Sequence, residues 1–363
     1  MKFKNLFATG WGIIGVGIII GVLASLLQYA GNPANMGICV ACFERDISGA
    51  LGLHRADVVQ YMRPEIIGFV LGSLVAALMF KEFRARGGSA PVVRFFLGVF
   101  AMIGALVFLG CPWRTILRLA GGDGNAIFGL LGLVAGIFIG TRFLKAGFDL
   151  GRSQNTHKSS GWLLPLTMAG FLLIMLLNPQ ISGEAKSGVL FYSIKGPGSM
   201  HAPLIISLVI GLLVGFIAQR SRFCTMGAFR DLILFKQGHL FKGVLGLFIA
   251  AFIVNLLLGQ FNPGFEKQPI AHTMSLWNFL GMMLAGLAFA MSGGCPGRQL
   301  FLSGEGDTDA ATFVLGMIVG AAVAHNFGLA STPNGIGPNS IIAVVVGFAF
   351  CLLIGFTMKR SKA

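Results

Sequence analysis

The chain of 363 residues is 55% hydrophobic and only 11% charged, and its mean hydropathy is +0.81. Soluble domains carry about 25% charged residues, so this composition excludes them and indicates a polytopic membrane protein. The formal net charge of +14 does not indicate a nucleic-acid partner, because most of the basic residues can be assigned to one side of a membrane.

Apolar runs that could cross a bilayer recur along the whole chain. A membrane-spanning helix needs about 20 mainly apolar residues. The runs near this length are 11–30, 64–80, 95–110, 126–146, 162–178, 204–219, 241–258, 277–292, 311–329 and 341–358. The first follows Lys2 and Lys4 as a signal peptide would, but it has no cleavage site and is followed by all the others. We therefore predict an all-α polytopic membrane protein with about ten transmembrane helices.

The basic residues set the predicted orientation. With the N-terminus in the cytoplasm, most lysines and arginines fall on the inner side, whereas the acidic residues divide almost evenly. This asymmetry is the one that the positive-inside rule describes. We expect both termini to be cytoplasmic and the surrounding membrane lipid to be the main partner of the helices.

The sequence contains a duplication with a cysteine motif in each copy. The paired motifs are Gly110-Cys111-Pro112-Trp113-Arg114 with Gly294-Cys295-Pro296-Gly297-Arg298, and Cys39 before Arg45-Asp46 with Cys224 before Arg230-Asp231. Each copy has an odd number of predicted spans, so the copies are expected to be inverted relative to each other across the membrane. We predict a first inverted repeat at 1–178, an external connection at 179–203 and a second inverted repeat at 204–363.

The motifs lie in four apolar segments that are too short to cross a membrane. These segments are 37–51, 111–120, 224–235 and 295–303, and glycines bound them. Such segments are typical of re-entrant half-helices, whose irregular backbone is tolerated only where protein or water surrounds it. Two from each face would meet near the middle of the membrane, where inverted-repeat transporters bind their substrates.

The cysteines are predicted to lie at the starts of these half-helices. Proline favours the first helical position, so the preceding Cys111 and Cys295 become N-caps, beside free N–H groups that attract anions. Arg114 and Arg298 add positive charge. A thiol is a soft, weak hydrogen-bonding group, which favours an anion with terminal sulfur or selenium over sulfate. The predicted substrate-binding residues are Cys39, Cys111, Cys224, Cys295, Arg114, Arg298 and Cys42.

Several of these residues also have simpler interpretations. Cys39 and Cys42 could form a redox pair or a disulfide, but they lack the second ligand pair of a zinc site. Arg114 and Arg298 could be snorkelling anchors instead of anion ligands. The pairs Arg45-Asp46 and Arg230-Asp231 are most simply ion pairs, and Asp123 and Asp307 most simply helix caps. Cys351 is interpreted as a packing residue, and His325 as a polar residue on a transport path.

These motifs resemble those of the YeeE/YedE family of inner-membrane proteins over essentially the whole chain. That family includes thiosulfate importers, and the stretches 36–46 and 49–54 resemble the YedE branch, which is associated with selenium metabolism. The resemblance implies a bacterial inner-membrane location and a small cytoplasmic TusA-like sulfur-carrier protein as a partner. The family's path cysteines correspond to Cys39, Cys111, Cys224 and Cys295. Cys42 departs from the pattern, because Gly227 stands at its position in the second copy.

Three functions remain open at this point. The first is a transporter that imports a small sulfur- or selenium-containing anion, without enzyme activity, cofactor or metal. The second is a membrane thiol oxidoreductase that exchanges electrons with a quinone, and the third is a passive pore for small solutes. Of these, the first is our prediction, because a passive pore does not need four thiols and no cofactor motif supports the oxidoreductase.

Overall fold

The computed structural model describes Phe7 and residues 9–181 and 183–359, which form fourteen α-helices. Lys2 and Lys4, used above for the orientation, lie outside the described residues, as do the two termini. The first seven helices are α1 (Gly10–Tyr29), α2 (Val40–Ala50), α3 (Pro64–Met79), α4 (Pro91–Phe108), α5 (Pro112–Ala120), α6 (Asn125–Lys145) and α7 (Lys158–Leu177). The next seven are α8 (Leu204–Ser221), α9 (Thr225–Phe235), α10 (His239–Leu257), α11 (Ser275–Ser292), α12 (Pro296–Gly304), α13 (Thr308–Asn326) and α14 (Ser340–Thr357).

The remaining regular structure in the described residues is short. Strand β1 (Arg86–Gly87) pairs antiparallel with β2 (Gln154–Asn155), and β3 (Lys186–Ser187) pairs antiparallel with β4 (Leu190–Phe191). A single 3₁₀ turn covers Pro197–Ser199. These pieces lie in the connections between helices, and the all-α prediction is confirmed.

Nine helical segments among the described residues are long and apolar enough to span a membrane. The predicted span at 64–80 becomes α3, whose 16 residues make it shorter than those nine. Helices near the periphery expose apolar side chains such as Leu176, Ile205 and Leu353, as a surface facing lipid requires. The chain is therefore a multi-pass membrane protein.

The four short predicted segments form the four short helices α2, α5, α9 and α12, of 9 to 11 residues each. Every residue of α2 is buried. Proline begins α5 and α12, where its missing N–H costs no hydrogen bond. The starts of all four differ from the predicted segment starts by no more than three residues.

Helices from the two halves of the chain pack against each other in a reciprocal pattern. Helix α1 packs along α10, and its counterpart α8 packs along α3. In the same way α6 packs along α11, and its counterpart α13 packs along α4. Two halves that exchange helices in this way form one core. The inverted orientation and the repeat boundaries stay predictions.

Glycine allows these helices to approach closely. A Cβ atom added at Gly72 in α3 would collide with the backbone carbonyl of Leu212 in α8. A Cβ atom added at Gly136 in α6 would likewise collide with the carbonyl of Met283 in α11. Small residues spaced four apart have this role between membrane helices, where apolar burial gives no driving force.

The acid–base pairs of the repeated motifs are ion pairs, as the simpler interpretation predicts. Arg45 contacts Asp46 at 2.7 Å, and Arg230 contacts Asp231 at 2.8 Å. Asp46 also accepts from Arg63, at 2.7 Å, which the sequence did not indicate. The first pair is buried and the second is partly exposed, so the two copies of the motif lie in different surroundings.

The two predicted aspartate caps differ. Asp307 is the N-cap of α13, and its carboxylate accepts from the Ala310 N–H at 3.0 Å. Asp123 lies one residue before the N-cap of α6, so its predicted capping position is wrong by one residue. It still accepts from the Asn125 N–H at 2.9 Å, and it pairs with Arg118 at 2.6 Å. The side chain of Asp123 is thus held by a buried ion pair, one residue before the N-cap position.

Candidate functional site

Each of the four repeated cysteines is the N-cap of a short helix. Cys39 precedes α2, Cys111 precedes α5, Cys224 precedes α9 and Cys295 precedes α12. All four cap residues have extended backbone conformations, the usual geometry of an N-cap. The cap position predicted from the prolines is therefore confirmed for Cys111 and Cys295.

The cap sulfurs differ in their hydrogen bonds. The Sγ atom of Cys39 accepts from the Cys42 N–H at 3.4 Å, and that of Cys224 accepts from the Gly227 N–H at 3.2 Å. The Cys111 and Cys295 side chains form no capping hydrogen bond. Helices α5 and α12 therefore begin without a side-chain acceptor from their own cap residue, the condition in which a helix start attracts an anion.

Three cysteines of the first half form a first thiol cluster, consisting of Cys39, Cys42 and Cys111. The Sγ atoms of Cys39 and Cys42 are 2.7 Å apart, and the Cys111 thiol is within hydrogen-bonding range of Cys39. All three are free and buried in this structure, and the Cys39–Cys42 disulfide considered above stays an alternative. The cluster joins the starts of α2 and α5, which are far apart in sequence.

Two cysteines of the second half form a second thiol cluster, consisting of Cys224 and Cys295. Their Sγ atoms are 3.6 Å apart, and the Cys295 N–H lies 3.5 Å from the Cys224 sulfur. Both thiols are free and buried. Gly227 takes the place of a third thiol here, so the second cluster is smaller than the first.

An aromatic cluster adjoins both thiol clusters, and it consists of Phe69, Trp113, Phe223 and Phe301. The Trp113 ring centroid lies 5.9 Å from those of Phe69 and Phe223, and 6.0 Å from that of Phe301. All four side chains are buried. Trp113 follows Cys111 by two residues and Phe223 directly precedes Cys224, so this cluster links the two sets of thiols.

The duplicated motifs fit together at this point. Gly297 occupies the position in the second motif that Trp113 occupies in the first. A Cβ atom on Gly297 would lie 3.2 Å from the Trp113 ring, which is closer than most such contacts. The large residue of one motif therefore packs against the small residue of the other. The sequence contained both residues, but it gave no indication of their contact.

A basic cavity of about 670 Å³ reaches the second thiol cluster. Four arginines and two carboxylates are among the residues that line it, which makes it suitable for an anion. Its charged lining and its thiol are Arg220, Arg222, Arg230, Arg298, Glu82, Asp231 and Cys224. Because Cys224 lies in its wall, the cavity connects the surface to the start of α9.

The two motif arginines lie in different environments. The Arg114 side chain is fully buried and contacts the Cys42 sulfur at 3.6 Å. It also donates to the backbone carbonyls of Leu109 and Ile270. The snorkelling alternative is therefore wrong for Arg114, whose guanidinium stays inside the protein. Arg298 lines the basic cavity and contacts Glu305 at 3.4 Å.

Sequence reasoning missed one polar group near the candidate site, Glu44, and it named a second, His325, without its contact. Glu44 is buried two residues after Cys42, and neither of its carboxylate oxygens has a hydrogen-bond partner in the described part of the chain. The predicted path residue His325 packs against His54, with ring centroids 4.5 Å apart. A role for His325 on a transport path stays a prediction. The described residues contain no group of three or more side chains that could hold a metal ion.

Comparison with known proteins finds a family that is similar to one segment of the chain. Residues 220–357, which include Cys224 and Cys295, match the family described as sulphur transport. The predicted resemblance to the YeeE/YedE family is thereby confirmed, whereas its selenium-metabolism branch stays a prediction.

Two characterised relatives are similar to part of the chain. One is the thiosulfate transporter TsuA of Spirochaeta thermophila, 34% identical over 103 residues, which cover 28% of this chain and 31% of the relative. The other is the thiosulfate transporter TsuA of Escherichia coli, 29% identical over 108 residues, which cover 30% of each. The alignments therefore span about a third of the length of these relatives.

Proposed function

We propose that this protein imports a small sulfur-containing anion of the thiosulfate class, by way of the thiols that cap its four short helices. The observation that carries this proposal is the meeting of those four caps in two buried thiol clusters. Helix starts attract negative charge, and thiols interact best with a soft terminal sulfur atom. The description of the matching family and the names of the two relatives agree with this substrate class.

The proposed path runs from the first thiol cluster to the second. The anion binds at the starts of α2 and α5, passes the aromatic cluster and reaches the basic cavity beside Cys224. The arginines of that cavity agree with a cytoplasmic location under the positive-inside rule. In this orientation both termini are cytoplasmic, the two repeats are inverted, and the protein lies in a bacterial inner membrane.

The chemistry of the clusters suits passage more than tight binding. A thiol is a weak donor and a weak acceptor, so each contact with the anion contributes little free energy. Conduction requires binding that is strong enough for entry and weak enough for release. Two thiol clusters in series, with arginines nearby, provide such successive weak sites. Arg114 and Arg298 act in this proposal by long-range attraction, because both already contact protein oxygens.

Uptake of labelled thiosulfate by proteoliposomes tests this proposal. We expect Cys111→Ala and Cys295→Ala each to lower the uptake rate by about tenfold, the usual consequence of losing one hydrogen bond to a charged group. Cys351→Ala is the matched control, because Cys351 is a buried cysteine of α14 outside both clusters. Unchanged uptake in both cluster variants would overturn the proposal.

The same preparation distinguishes the other candidates. The 2.7 Å approach of Cys39 to Cys42 is the observation that favours a thiol oxidoreductase, which would reduce a quinone without anion flux. A passive pore would transport solutes at the same rate in all the cysteine variants. Competition of thiosulfate uptake by selenite and by sulfate then separates a sulfur substrate from a selenium substrate. The expected TusA-like carrier protein would take the anion from the cavity side.

A further inference from the structure

Glu44 is the one carboxylate beside the first thiol cluster for which no hydrogen-bond or ion-pair partner exists in the described part of the chain. Its side chain is fully buried on α2, and both carboxylate oxygens lack a hydrogen bond there. An ionised carboxylate in such surroundings is very unfavourable, and such groups normally take up a proton instead. Glu44 is therefore expected to be a neutral acid when the site is in this state.

The nearby guanidinium groups do not neutralise Glu44, because they have other partners. Arg45 donates to Asp46, and Arg63 donates to Asp46 and to backbone carbonyls. Arg114 donates to the carbonyls of Leu109 and Ile270 and contacts Cys42. None of these three arginines forms an ion pair with Glu44 in the described residues.

The helices packed against α2 supply no counter-charge either. These helices are α3, α4, α12 and α13, and each of their charged or titratable side chains that faces the core has a contact elsewhere. The contacts are Glu65 with Asn32 and Ser207, Arg94 with Ser89 and Ser292, Arg298 with Glu305, Asp309 with Ser89 and Ser153, and His325 with His54.

Glu44 lies beside the first thiol cluster. It is on α2, two residues after Cys42, and the thiol of Cys111 is close enough to interact with it electrostatically. The residue of the second half that corresponds to Glu44, by the offset that relates Cys39 to Cys224, is Phe229. The acid is therefore a property of the first thiol cluster alone.

We propose that Glu44 is a proton-binding site that couples passage of the anion to movement of one proton. The protonated carboxyl donates a hydrogen bond to the anion at the first thiol cluster, whereas the ionised form repels it. The proton crosses with the anion towards the basic cavity, and a second proton from the side of the first cluster restores the acid. This inference rests on the proposed function.

The coupling follows from linkage between two ligands of one site. If protonation of Glu44 raises the affinity for the anion, the bound anion raises the affinity for the proton by the same factor. A proton that accompanies a divalent anion also lowers the charge that must pass the aromatic cluster. That reduction favours transfer, because the rings of Phe69, Phe223 and Phe301 offer an anion neither a hydrogen-bond donor nor a counter-ion, and Trp113 offers only its indole N–H.

The test measures proton and thiosulfate movement together in proteoliposomes, with a pH-sensitive dye in the lumen and the membrane potential clamped. For the wild type we expect thiosulfate addition to acidify the lumen, and the KM for thiosulfate to rise as the pH is raised and Glu44 ionises. Glu44→Gln should retain slower uptake that moves no protons and shows no such rise. Glu44→Asp keeps an acid and should retain both effects, and Glu184→Gln, on an exposed loop, is the control.

The outcomes separate this inference from the function on which it rests. Absence of thiosulfate flux in the wild type would overturn the proposed function. Flux without acidification in the wild type, or acidification by Glu44→Gln at the wild-type ratio of protons to thiosulfate, would overturn the role of Glu44 only. If Glu44→Gln transports too slowly to measure, proton uptake on thiosulfate binding in detergent decides. At a pH high enough to ionise part of Glu44 before binding, the inference expects this uptake in the wild type and not in the variant.

Discussion

At the scale of single residues, the choice of cysteine at four helix starts is the feature that needs a physical reason. Serine accepts a hydrogen bond from a helix N–H more strongly than a thiol does, and it is a preferred N-cap. The sulfurs of Cys111 and Cys295 form no capping hydrogen bond of normal geometry, although each lies near the backbone N–H of the arginine three residues on. A weak cap leaves the first N–H groups available to a ligand, at some cost in helix stability. Lower helix stability in return for free N–H groups is reasonable only where the helix start binds a ligand.

The first prediction concerns the softness of these thiols. Cys111→Ser and Cys295→Ser should weaken thiosulfate binding by about tenfold while leaving competition by sulfate almost unchanged, because a hydroxyl is a harder partner that satisfies the helix N–H groups itself. Competitive uptake assays with the two anions measure this ratio, and Cys351→Ser in α14 is the control. Equal weakening of both anions would contradict the argument.

The second prediction concerns Trp113, whose buried ring contacts Phe69, Phe223 and Phe301 and packs on Gly297. Trp113→Ala should destabilise the protein by about 3–5 kcal/mol, the usual cost of removing a buried indole. It should also permit leakage of small ions in the absence of thiosulfate, because the proposed path passes the aromatic cluster. Dye-release or ion-flux assays in proteoliposomes measure the leak. A variant that folds and remains sealed would show that the barrier lies elsewhere.

At the scale of helices, the close contact between α3 and α8 depends on glycine. Gly68 and Gly72 face the backbone of Gly211 and Leu212, so even one methyl group has no space there. Contacts of this kind bring backbones together and place the short helices within the core. Their geometry is therefore a condition for the thiol clusters.

The third prediction compares two glycines in helices. Gly72→Ala should lower the stability by about 1–3 kcal/mol, because the added methyl group collides with the Leu212 carbonyl. Gly170→Ala in α7 is the matched control, since no atom lies within 4 Å of its added Cβ, and alanine favours a helix over glycine. Thermal unfolding in detergent measures both. A larger loss at Gly170 than at Gly72 would contradict the packing described here.

The sequence predicted the elements of this fold better than their contacts. Proline at the first position and glycine at the boundaries are local signals, which is why the short helices at 112–120 and 296–304 could be placed. The partners of Asp46 and of Trp113 come from distant segments, Arg63 and Gly297, and no local pattern encodes such contacts. For the same reason the sequence did not indicate that Glu44 is buried without a hydrogen-bond partner.

At the scale of the whole molecule, the two thiol clusters are expected to open to opposite faces of the membrane. Cys224 of the second thiol cluster lies in the wall of the basic cavity. The helices of the first cluster, α2 and α5, correspond to α9 and α12 of the second, and the predicted inversion places the two pairs on opposite sides of the membrane. The reciprocal packing of α1 with α10 and of α8 with α3 agrees with this relation. Access of reagents from each side can therefore decide the topology.

The fourth prediction follows from that topology. In variants that keep one native cysteine, a membrane-impermeant thiol reagent should modify Cys224 in inside-out vesicles and leave it unmodified in right-side-out vesicles. Cys111 is buried in this structure and should react from the opposite side only when transport exposes it, whereas Cys351 of α14 lies outside both clusters and should react in neither. Thiosulfate should protect both reactive cysteines. Modification of Cys111 and Cys224 from the same face would refute the inverted arrangement.

The contact of Trp113 with Gly297 also bears on how such a chain could arise. If the two copies were identical, two indoles would compete for one space, or two glycines would leave a gap between the half-helices. Only a fused chain, in which each copy can mutate alone, permits a bulky residue on one side and none on the other. The same freedom allows Glu44 in the first copy where the corresponding residue of the second copy is Phe229. A chain that carries both copies can therefore have an asymmetric interior, which a symmetric dimer of identical subunits would lack.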